Sequence, residues 1–314
     1  MPAFAKESDI ACSAWGADSD RLLLYGQSDN GEILEYKYDD GRFKFLGVVT
    51  KARAASPIAV ASNNKNWIRV YFLDEGRHVV EAANKGSGWE LSTWGVTLHA
   101  ASRLAARNDD HGIRVFGQAE NGNFIEITRK GSTTSWKVIS KRSVPGTSIA
   151  VPQNGIDRLF FLEVPEKHEH DDLFPDMKND LLVKGSSIVT NWLTNQLHKV
   201  PDVELAQYRL DGEGTSWVKI DSWLSAVPNM QLAITDIGSQ MEIMRTRNGK
   251  VHESWYKGGW HHNGFESKIS DGPIAIVTWR DHRFAVFWHD VDDPTKINWA
   301  EARTDGWRAR EAFN

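Results

Sequence analysis

Two stretches of the chain carry the same residue types in the same order, and those types can bind a polar ligand. The first is Ile68-Arg69-Val70-Tyr71 with Glu81 and Trp89, and the second is Ile113-Arg114-Val115-Phe116 with Glu126 and Trp136. Arg and Glu side chains form strong, charge-assisted hydrogen bonds to hydroxyl groups, and a flat indole ring stacks on patches of C–H groups. The simpler interpretation is that each Arg and Glu form a cross-strand ion pair that only stabilises a sheet.

The acids of these stretches follow a regular period along the chain. Glu35, Glu81 and Glu126 lie about 45 residues apart, and Gln207, Glu253 and Trp299 continue with the same spacing. Only the step from Glu126 to Gln207 is longer, by about 36 residues. Six units of about 46 residues plus this insertion account for the 314 residues of the chain, so we expect a single domain that spans 1–314.

Each unit contains the signals of four short antiparallel strands. An apolar residue followed by Ala opens every unit, at Ile10, Ile58, Leu104, Ile149, Leu232 and Ile274. Polar clusters that end in Gly, such as Asp29-Asn30-Gly31 and Asp74-Glu75-Gly76, predict hairpin turns because Gly accepts a positive φ. Strand-length apolar runs between such turns argue against a helical solenoid. The sequence therefore predicts an all-β, six-bladed β-propeller of four-stranded blades, in which the small Ala residues relieve crowding around the axis.

The insertion, at about 163–202, falls between the second and third strands of the fourth blade. Ser186 or Ser187 can cap a helix in this insertion, whose apolar residues share one face: Ile188, Val189, Trp192, Leu193 and Leu197. We expect this helix either to cover a mouth or pocket of the propeller or to lie on its surface. The nearby run His168-Glu169-His170-Asp171-Asp172 resembles a metal cluster, but its two His side chains point to opposite sides of an extended chain, so no metal site is predicted.

Composition and motifs exclude several classes of function. The net charge of −5 and the pI near 6.1 leave no basic footprint for nucleic acid or an acidic membrane. The single cysteine, Cys12, allows no intramolecular disulfide. The chain has neither an apolar run that could span a membrane nor an apolar signal-peptide core at its start, so we expect a cytoplasmic protein. It has no phosphate-binding loop, zinc-finger spacing or nucleophile elbow, and no cofactor is predicted. The sequence leaves open whether the ring forms a homodimer.

The repeated Arg, Glu and Trp residues resemble the repeat of the fungal fucose-specific lectins, which are six-bladed propellers. The resemblance extends over the whole chain through the period, although the motif is well formed in only two blades. It implies sugar sites between neighbouring blades, where Arg and Glu of one blade bond the sugar and an aromatic ring of the next stacks on it. It implies two complete sites for a fucosylated glycan: Arg69, Glu81 and Trp136, and Arg114, Glu126 and Trp217.

The other four blades keep only part of this pattern. At the Arg and acid positions they carry, respectively, Leu23 and Glu35, Arg158 and Gln207, Met241 and Glu253, and Ala285 and Trp299. In the first of them, Arg21 lies two residues before Leu23 on the same strand face. The blade after Arg158 offers Tyr256 and Trp260 as stacking partners. By this pattern, three sites are half-kept and one is lost.

The loss of most sites, the apolar inserted helix and the aromatic later blades favour a lectin-like propeller converted to small-molecule chemistry. The resemblance extends to the fungal hetero-Diels–Alderases of natural-product biosynthesis, which join a tropolone-type quinone methide to a humulene-type sesquiterpene. Such a reaction needs two apolar partners in a near-attack geometry and a few donors. Arg114, Arg158 and His198 are the candidate catalytic residues, and Trp192 is a candidate pocket residue. The alternative hypothesis is a fucose-binding lectin with about two intact sugar sites.

Overall fold

Six four-stranded antiparallel sheets surround a common axis as the blades of a propeller, as the sequence predicts. This computed structural model describes residues 2–6, 8–15, 21–63, 67–109, 112–152, 157–164, 203–211, 216–223, 226, 230–237, 240–247, 249–257, 260–268, 272–279, 283–303 and 306–313. In every sheet the strands follow one another in chain order. Across these ranges the structure contains no helix, and so none that could cross a membrane.

The first three blades contain strands of five to ten residues. Blade 1 comprises β1 (Ile10–Trp15), β2 (Arg21–Gln27), β3 (Glu32–Asp39) and β4 (Arg42–Lys51). Blade 2 comprises β5 (Ala59–Asn63), β6 (Trp67–Leu73), β7 (His78–Asn84) and β8 (Trp89–Thr97). Blade 3 comprises β9 (Ala105–Asp109), β10 (Gly112–Gln118), β11 (Phe124–Lys130) and β12 (Thr133–Ser140).

The last three blades repeat this order. Blade 4 comprises β13 (Ile149–Ala150), β14 (Arg158–Glu163), β15 (Glu204–Leu210) and β16 (Trp217–Trp223). Blade 5 comprises β17 (Leu232–Ile237), β18 (Gln240–Arg247), β19 (Lys250–Tyr256) and β20 (Trp260–Lys268). Blade 6 comprises β21 (Ile274–Trp279), β22 (Arg283–His289), β23 (Ile297–Arg303) and β24 (Gly306–Phe313). The predicted inserted helix, with Trp192, His198 and the His168–Asp172 run, lies outside the described residues.

The first strand of each blade lines a narrow central channel of about 100 Å³. The predicted column of an apolar residue followed by Ala forms its wall, at Ile10-Ala11, Ile58-Ala59, Leu104-Ala105, Ile149-Ala150, Leu232-Ala233 and Ile274-Ala275. All twelve side chains are buried or face this channel. Six strands converge on the axis, so a small residue at the second position of each pair leaves room for the neighbouring strand.

In blades 1 to 3 the hairpin between the second and third strands uses a left-handed residue, and one of these hairpins departs from the sequence prediction. Gly31 and Gly122 both have a φ of +80°, and their amides donate to the carbonyls of Ser28 and Ala119. In blade 2 the residue with the equivalent hydrogen bond is Arg77, with a φ of +64°, and not Gly76. The prediction for Gly76 is wrong because the turn starts at Asp74 and requires its left-handed residue three positions later, at Arg77. A non-glycine residue in this conformation costs about 1 kcal/mol.

The ring closes without sharing a strand, because each sheet consists of four consecutive strands. Blade 6 meets blade 1 through a buried cluster of aromatic rings: Tyr38, Phe43, Trp279, Phe287 and Trp299. Phe43 lies edge-on to Phe287 and Trp299, with ring centroids 5.8 and 5.7 Å apart. Apolar packing therefore fills the position where the other blade interfaces carry polar groups.

Candidate functional site

Each interface between neighbouring blades carries an equivalent set of positions, and we name each gap by the blade that precedes it. The repeating acid of the third strand lies opposite a second-strand residue: Tyr25–Glu35, Tyr71–Glu81, Phe116–Glu126, Phe160–Gln207, Met244–Glu253 and Phe287–Trp299. The residue two positions before the second-strand partner lies on the same face, because side chains alternate along a strand. These three positions face the next blade.

This register corrects the sequence assignment in blade 5. Met244 lies opposite Glu253, so the residue on the same face two positions earlier is Glu242. Met241 lies opposite Tyr256 and belongs to the other face. The assignment of Met241 to the Arg position is therefore wrong by one residue, because the apolar residues Met241, Ile243 and Met244 hide the phase of this strand.

In the second gap, between blades 2 and 3, one carboxylate is held by two donors of its own blade. Arg69 Nη1 is 2.7 Å from Glu81 Oε1, and the Tyr71 hydroxyl donates to Glu81 Oε2 at 2.9 Å. The Arg69 guanidinium also lies over the Trp67 ring, 4.4 Å from its centroid. Burial, followed by the charge of Glu81, raises the pKa of Tyr71 well above its ordinary value, so the phenol remains a donor. The Arg69 side chain keeps 23% of its surface exposed.

Blade 3 supplies the opposite side of the second gap. Arg129 Nη1 donates to Ser92 Oγ at 2.9 Å, and Ser92 Oγ donates to Glu81 Oε1 at 3.5 Å. Trp136 lies opposite Ile127, which packs against blade 2, so Trp136 is on the face of blade 3 that is turned to blade 2. The side chain of Trp136 is 56% exposed. The second gap thus combines two guanidinium groups, one carboxylate and an accessible indole ring.

The third gap contains the same residue types in a closed arrangement. Arg114 Nη1 lies 3.3 Å from both carboxylate oxygens of Glu126, and Lys137 Nζ lies 3.6 Å from Oε2. Trp217 donates its indole N–H to Glu126 Oε2 and packs edge-on against Phe116, with ring centroids 5.7 Å apart. The side chains of Arg114 and Glu126 are only 4% and 3% exposed. Protein donors therefore occupy the carboxylate that a ligand would need.

The first gap is a half-site. The Tyr25 hydroxyl donates to Glu35 Oε1 at 2.8 Å, and the Trp89 ring lies edge-on to Tyr25 at 6.3 Å. Leu23 is buried at the Arg position, and the side chain of Arg21 is not among those described. Burial raises the pKa of Glu35, although the hydrogen bond from Tyr25 opposes this effect. Leu23 thus stands in place of the arginine of the predicted sugar-binding pair, and the cation described on this face is Lys37, opposite Leu23.

The fourth gap gathers four of the predicted site residues. Gln207 lies opposite Phe160, and Arg158 is on the same face. Tyr256 and Trp260 of blade 5 pack against the apolar cluster that contains Phe160, with their ring centroids 5.3 Å apart. Burial, followed by the nearby charge of Arg209, lowers the pKa of Arg158. The gap therefore pairs a half-buried guanidinium with two aromatic rings.

The fifth gap holds two acids instead of an Arg and a Glu. Gln240 Nε2 donates to Glu242 Oε1 at 2.7 Å, and Trp307 Nε1 donates to Glu253 Oε2 at 3.1 Å. Burial, and then the neighbouring Glu253, raise the pKa of Glu242 to about 8, against the opposing effect of Gln240. Burial also raises the pKa of Glu253. At neutral pH the pair therefore retains a proton. The sequence did not predict this pair of acids, because the alignment of the repeat put Met241 and not Glu242 at this position.

The structure brings together most, but not all, of the residues that the sequence singles out. Arg69 pairs with Glu81, and Arg114 pairs with Glu126 and Trp217, while no described hydrogen bond or ring contact joins Trp136 to blade 2. The residues of the second gap to which the sequence assigned no role are Trp67, Tyr71, Ser92 and Arg129. Tyr71 belongs to the blade 2 motif, and its role could have been inferred, since it follows Arg69 by two positions on the same face. In the described part of the chain, no group of three or more His, Cys, Asp or Glu residues could hold a metal ion.

Comparison with known proteins agrees with this geometry. A sequence model of the fungal fucose-specific lectin family matches residues 6–168, about half of the chain. A curated relative, a fucose-specific lectin of Aspergillus oryzae, is 30% identical over 145 residues, which cover 42% of this chain and 46% of the relative. The chain thus aligns with about half the length of the curated relatives that it matches.

Solved structures resemble the chain over nearly its whole length. The lectin of Aleuria aurantia, a six-bladed β-propeller, has a TM-score of 0.74 at 19% identity and covers 99% of this chain and 97% of its own. AofleA of Arthrobotrys oligospora has a TM-score of 0.70 at 15% identity, with coverage of 99% and 87%. The BP39L lectin of Burkholderia pseudomallei has a TM-score of 0.62 at 13% identity, with coverage of 99% and 100%. At such identities these likenesses establish the propeller fold.

Proposed function

The chain belongs to the fungal fucose-specific lectin family, and from this premise we propose that it is a lectin that binds fucosylated glycans. The proposal rests on the second gap, where the exposed ring of Trp136 on blade 3 faces the Arg69–Glu81 pair of blade 2. The curated relative bears the name of a fucose-specific lectin, and the Aleuria aurantia lectin has been solved with α-methyl-L-fucoside. These relatives support the choice of fucose as the first ligand to test.

The residues of the second gap have complementary roles toward a deoxy sugar. Arg69 donates to sugar oxygens, and Glu81 accepts from sugar hydroxyl groups, with the strength of charge-assisted hydrogen bonds. The contacts from Tyr71 and Arg69 hold the Glu81 carboxylate in place before the ligand arrives, so little side-chain entropy is lost on binding. Trp136 offers its exposed face to the C–H groups and the methyl group of the sugar.

We place the principal site in the second gap and expect one strong site per chain. In the third gap the Trp217 indole and Lys137 already contact Glu126, and Arg114 is buried. A sugar there would have to displace protein donors before it formed bonds of its own, which lowers its net gain on binding. One strong site gives little avidity, so multivalent binding requires self-association or additional weak sites.

Calorimetric titration with α-methyl-L-fucoside tests this proposal. We expect saturable binding at about one site per chain, lost in Trp136→Ala and in Arg69→Ala. Val218→Ala is the matched control, because Val218 is also an exposed apolar residue of an outer strand, in a different blade. The absence of binding to the unmodified protein at millimolar sugar, or undiminished binding to both gap variants, would refute the proposed site.

A second candidate function is the hetero-Diels–Alder coupling of a tropolone-type quinone methide to a humulene-type sesquiterpene. The observation in its favour is the fourth gap, where Tyr256 and Trp260 could hold an apolar partner and Arg158 could polarise a carbonyl. Arg114 is less suited to this role because it is buried in an ion pair. Incubation with a tropolone precursor and humulene, followed by mass spectrometry, tests the candidate, which requires a coupled product that disappears in Arg158→Ala.

A further inference from the structure

The fourth gap differs from the second and third gaps in the charges at equivalent positions. Arg69 lies opposite Ala83 of the third strand in blade 2, and Arg114 lies opposite Thr128 of the third strand in blade 3. Arg114 also lies opposite Arg107 of the first strand, which pairs with Asp109 and Asp157. In blade 4, Arg158 lies opposite a second arginine, Arg209. Both arginines share a face of the sheet, since directly paired residues of antiparallel strands point to the same side.

The acid that balances the arginine elsewhere is also missing from this face. Gln207 occupies the position of Glu81 and Glu126, so an amide replaces the carboxylate. The second and third gaps carry one cation and one anion at these positions, whose formal charges sum to zero. At the same three positions the fourth gap carries two cations and an amide, because Arg158, Arg209 and Gln207 sum to a formal charge of +2.

Neither guanidinium forms an ion pair with a carboxylate in the part of the chain that the structure describes. Arg158 Nη1 donates only to the Asp157 carbonyl oxygen, at 3.2 Å, and its Nε is buried without a hydrogen-bond partner. The carboxylate of Asp157 accepts from Arg107 Nη2 at 2.9 Å. Like charges that lie opposite each other across strands are destabilising, and a buried donor without an acceptor adds to the cost. An anion between the two guanidinium groups would relieve both costs.

The wall of the fourth gap adds a surface that suits a ring-shaped ligand. Tyr256 and Trp260 are partly buried against the cluster of Phe160, Leu162 and Leu205, with their rings inclined at 59° to each other. Tyr256 lies close enough to Arg158 to interact with its charge. A guanidinium pair beside aromatic rings matches a ligand that carries an anionic group on a sugar ring.

We propose that the fourth gap binds an acidic sugar, with Arg158 and Arg209 holding its carboxylate or sulfate group and Tyr256 and Trp260 contacting its ring. Gln207 bonds a neutral hydroxyl group and avoids the repulsion that a carboxylate would exert. The sugar part of this inference rests on the proposed lectin function, whereas the anionic part rests on the charges of the gap alone. The chain would thus bind two different sugars, one in the second gap and one in the fourth.

Titrations with two charged probes and one neutral probe test the inference. The probes are the α-methyl glycoside of N-acetylneuraminic acid, galactose 6-sulfate and galactose, which distinguish a carboxylate from a sulfate and either from a neutral sugar. We expect saturable binding of at least one charged probe, weakened about tenfold by a rise from 50 to 300 mM salt, and no binding of galactose. Failure of both charged probes to bind at millimolar concentration would overturn the proposal.

Two variants of the full-length protein assign the binding to this gap. Arg209 is exposed, so Arg209→Ala should fold normally and bind the charged probe at least about tenfold more weakly. Gln207→Glu restores the acid of the neutral gaps at nearly the same volume and should abolish binding by repulsion. Both variants should bind α-methyl-L-fucoside like the unmodified protein, which separates this inference from the proposed fucose site. Undiminished binding of the charged probe by Gln207→Glu, or equal affinity for inorganic sulfate and galactose 6-sulfate, would contradict an acidic-sugar site here.

Discussion

The second and third gaps contain the same Arg–Glu pair, yet one is open and the other is closed. In the second gap, Arg69 is partly exposed and the next blade presents Trp136 to solvent. In the third gap, Arg114 and Glu126 are buried and Trp217, which lies opposite Leu210 and not at the register position of Trp136 opposite Ile127, bonds the carboxylate. The residue types of a binding motif therefore do not decide whether it is available, since the strand position of the aromatic ring on the next blade also matters.

The same comparison extends to the charges around the ring. The second and third gaps are neutral at the motif positions, the fourth carries two arginines, and the fifth carries two glutamates. The sixth gap has exchanged its polar residues for an aromatic cluster. The family model matches only residues 6–168, which include the two neutral gaps' Arg–Glu pairs. The ring thus keeps the lectin pattern in its first half and varies its charge in the second.

The largest expected effect comes from the same truncation in the two neutral gaps. Arg114→Ala leaves the buried Glu126 without its main counterion and should lower the free energy of unfolding by about 3–5 kcal/mol. Arg69→Ala should lower it by about 1.5 kcal/mol, because Arg69 is partly exposed and Tyr71 still donates to Glu81. Urea denaturation of both variants measures the difference. Equal losses of unfolding free energy in the two variants would contradict the different burial of Arg69 and Arg114.

The paired glutamates of the fifth gap predict a stability that depends on pH. The folded-state pKa of Glu242 is raised to about 8 from an ordinary 4.5, so the folded state binds a proton that the unfolded state has lost. This contribution is fully present below about pH 4.5 and is lost as the pH rises through about 8. Glu242→Gln keeps a neutral side chain at all pH values and should flatten the decline of the unfolding free energy over this window. Thermal denaturation at several pH values measures it, and parallel profiles for both proteins would contradict a shared proton.

Sequence patterns predicted what is periodic in this molecule. The repeat fixed six blades, and the column of Ala residues located the innermost strands, because strand spacing and crowding at the axis impose both. The pairing of Arg69 with Glu81 could be predicted because neighbouring strands of one hairpin carry both residues. These features depend on local geometry that recurs in every unit.

The state of each gap could not be predicted, because it depends on contacts between distant residues. Trp217 bonds Glu126 from 91 positions further along the chain, and Trp307 bonds Glu253 from 54 positions away. Met241 was misassigned because a strand with adjacent apolar residues does not reveal its phase until its partner is known. The open or closed gaps follow from packing between blades, for which the repeat provides no signal.

The smallest expected effect concerns the blade 3 contribution to the open gap. Arg129→Ala removes the bond to Ser92, which in turn contacts Glu81, while it leaves Arg69, Glu81 and Trp136 unchanged. Loss of one hydrogen bond to this partly exposed network should weaken the affinity for α-methyl-L-fucoside about threefold, with little effect on stability. The third gap has no equivalent bridge among its described contacts, so this bond is one way in which blade 3 keeps the second gap ordered but open.

Calorimetry on Arg129→Ala and on a matched control measures this effect. Lys44→Ala is the control, because Lys44 also forms an ion pair across a hairpin, with Asp39 at 2.6 Å, in blade 1 on the face turned to the first gap and not to the second. Exposed pairs of this kind contribute little, so the control should keep both affinity and stability. An unchanged affinity in Arg129→Ala would mean that Arg69, Glu81 and Trp136 suffice by themselves. A complete loss would mean that Arg129 contacts the sugar directly, so that the open gap is built from the polar groups of two blades rather than one.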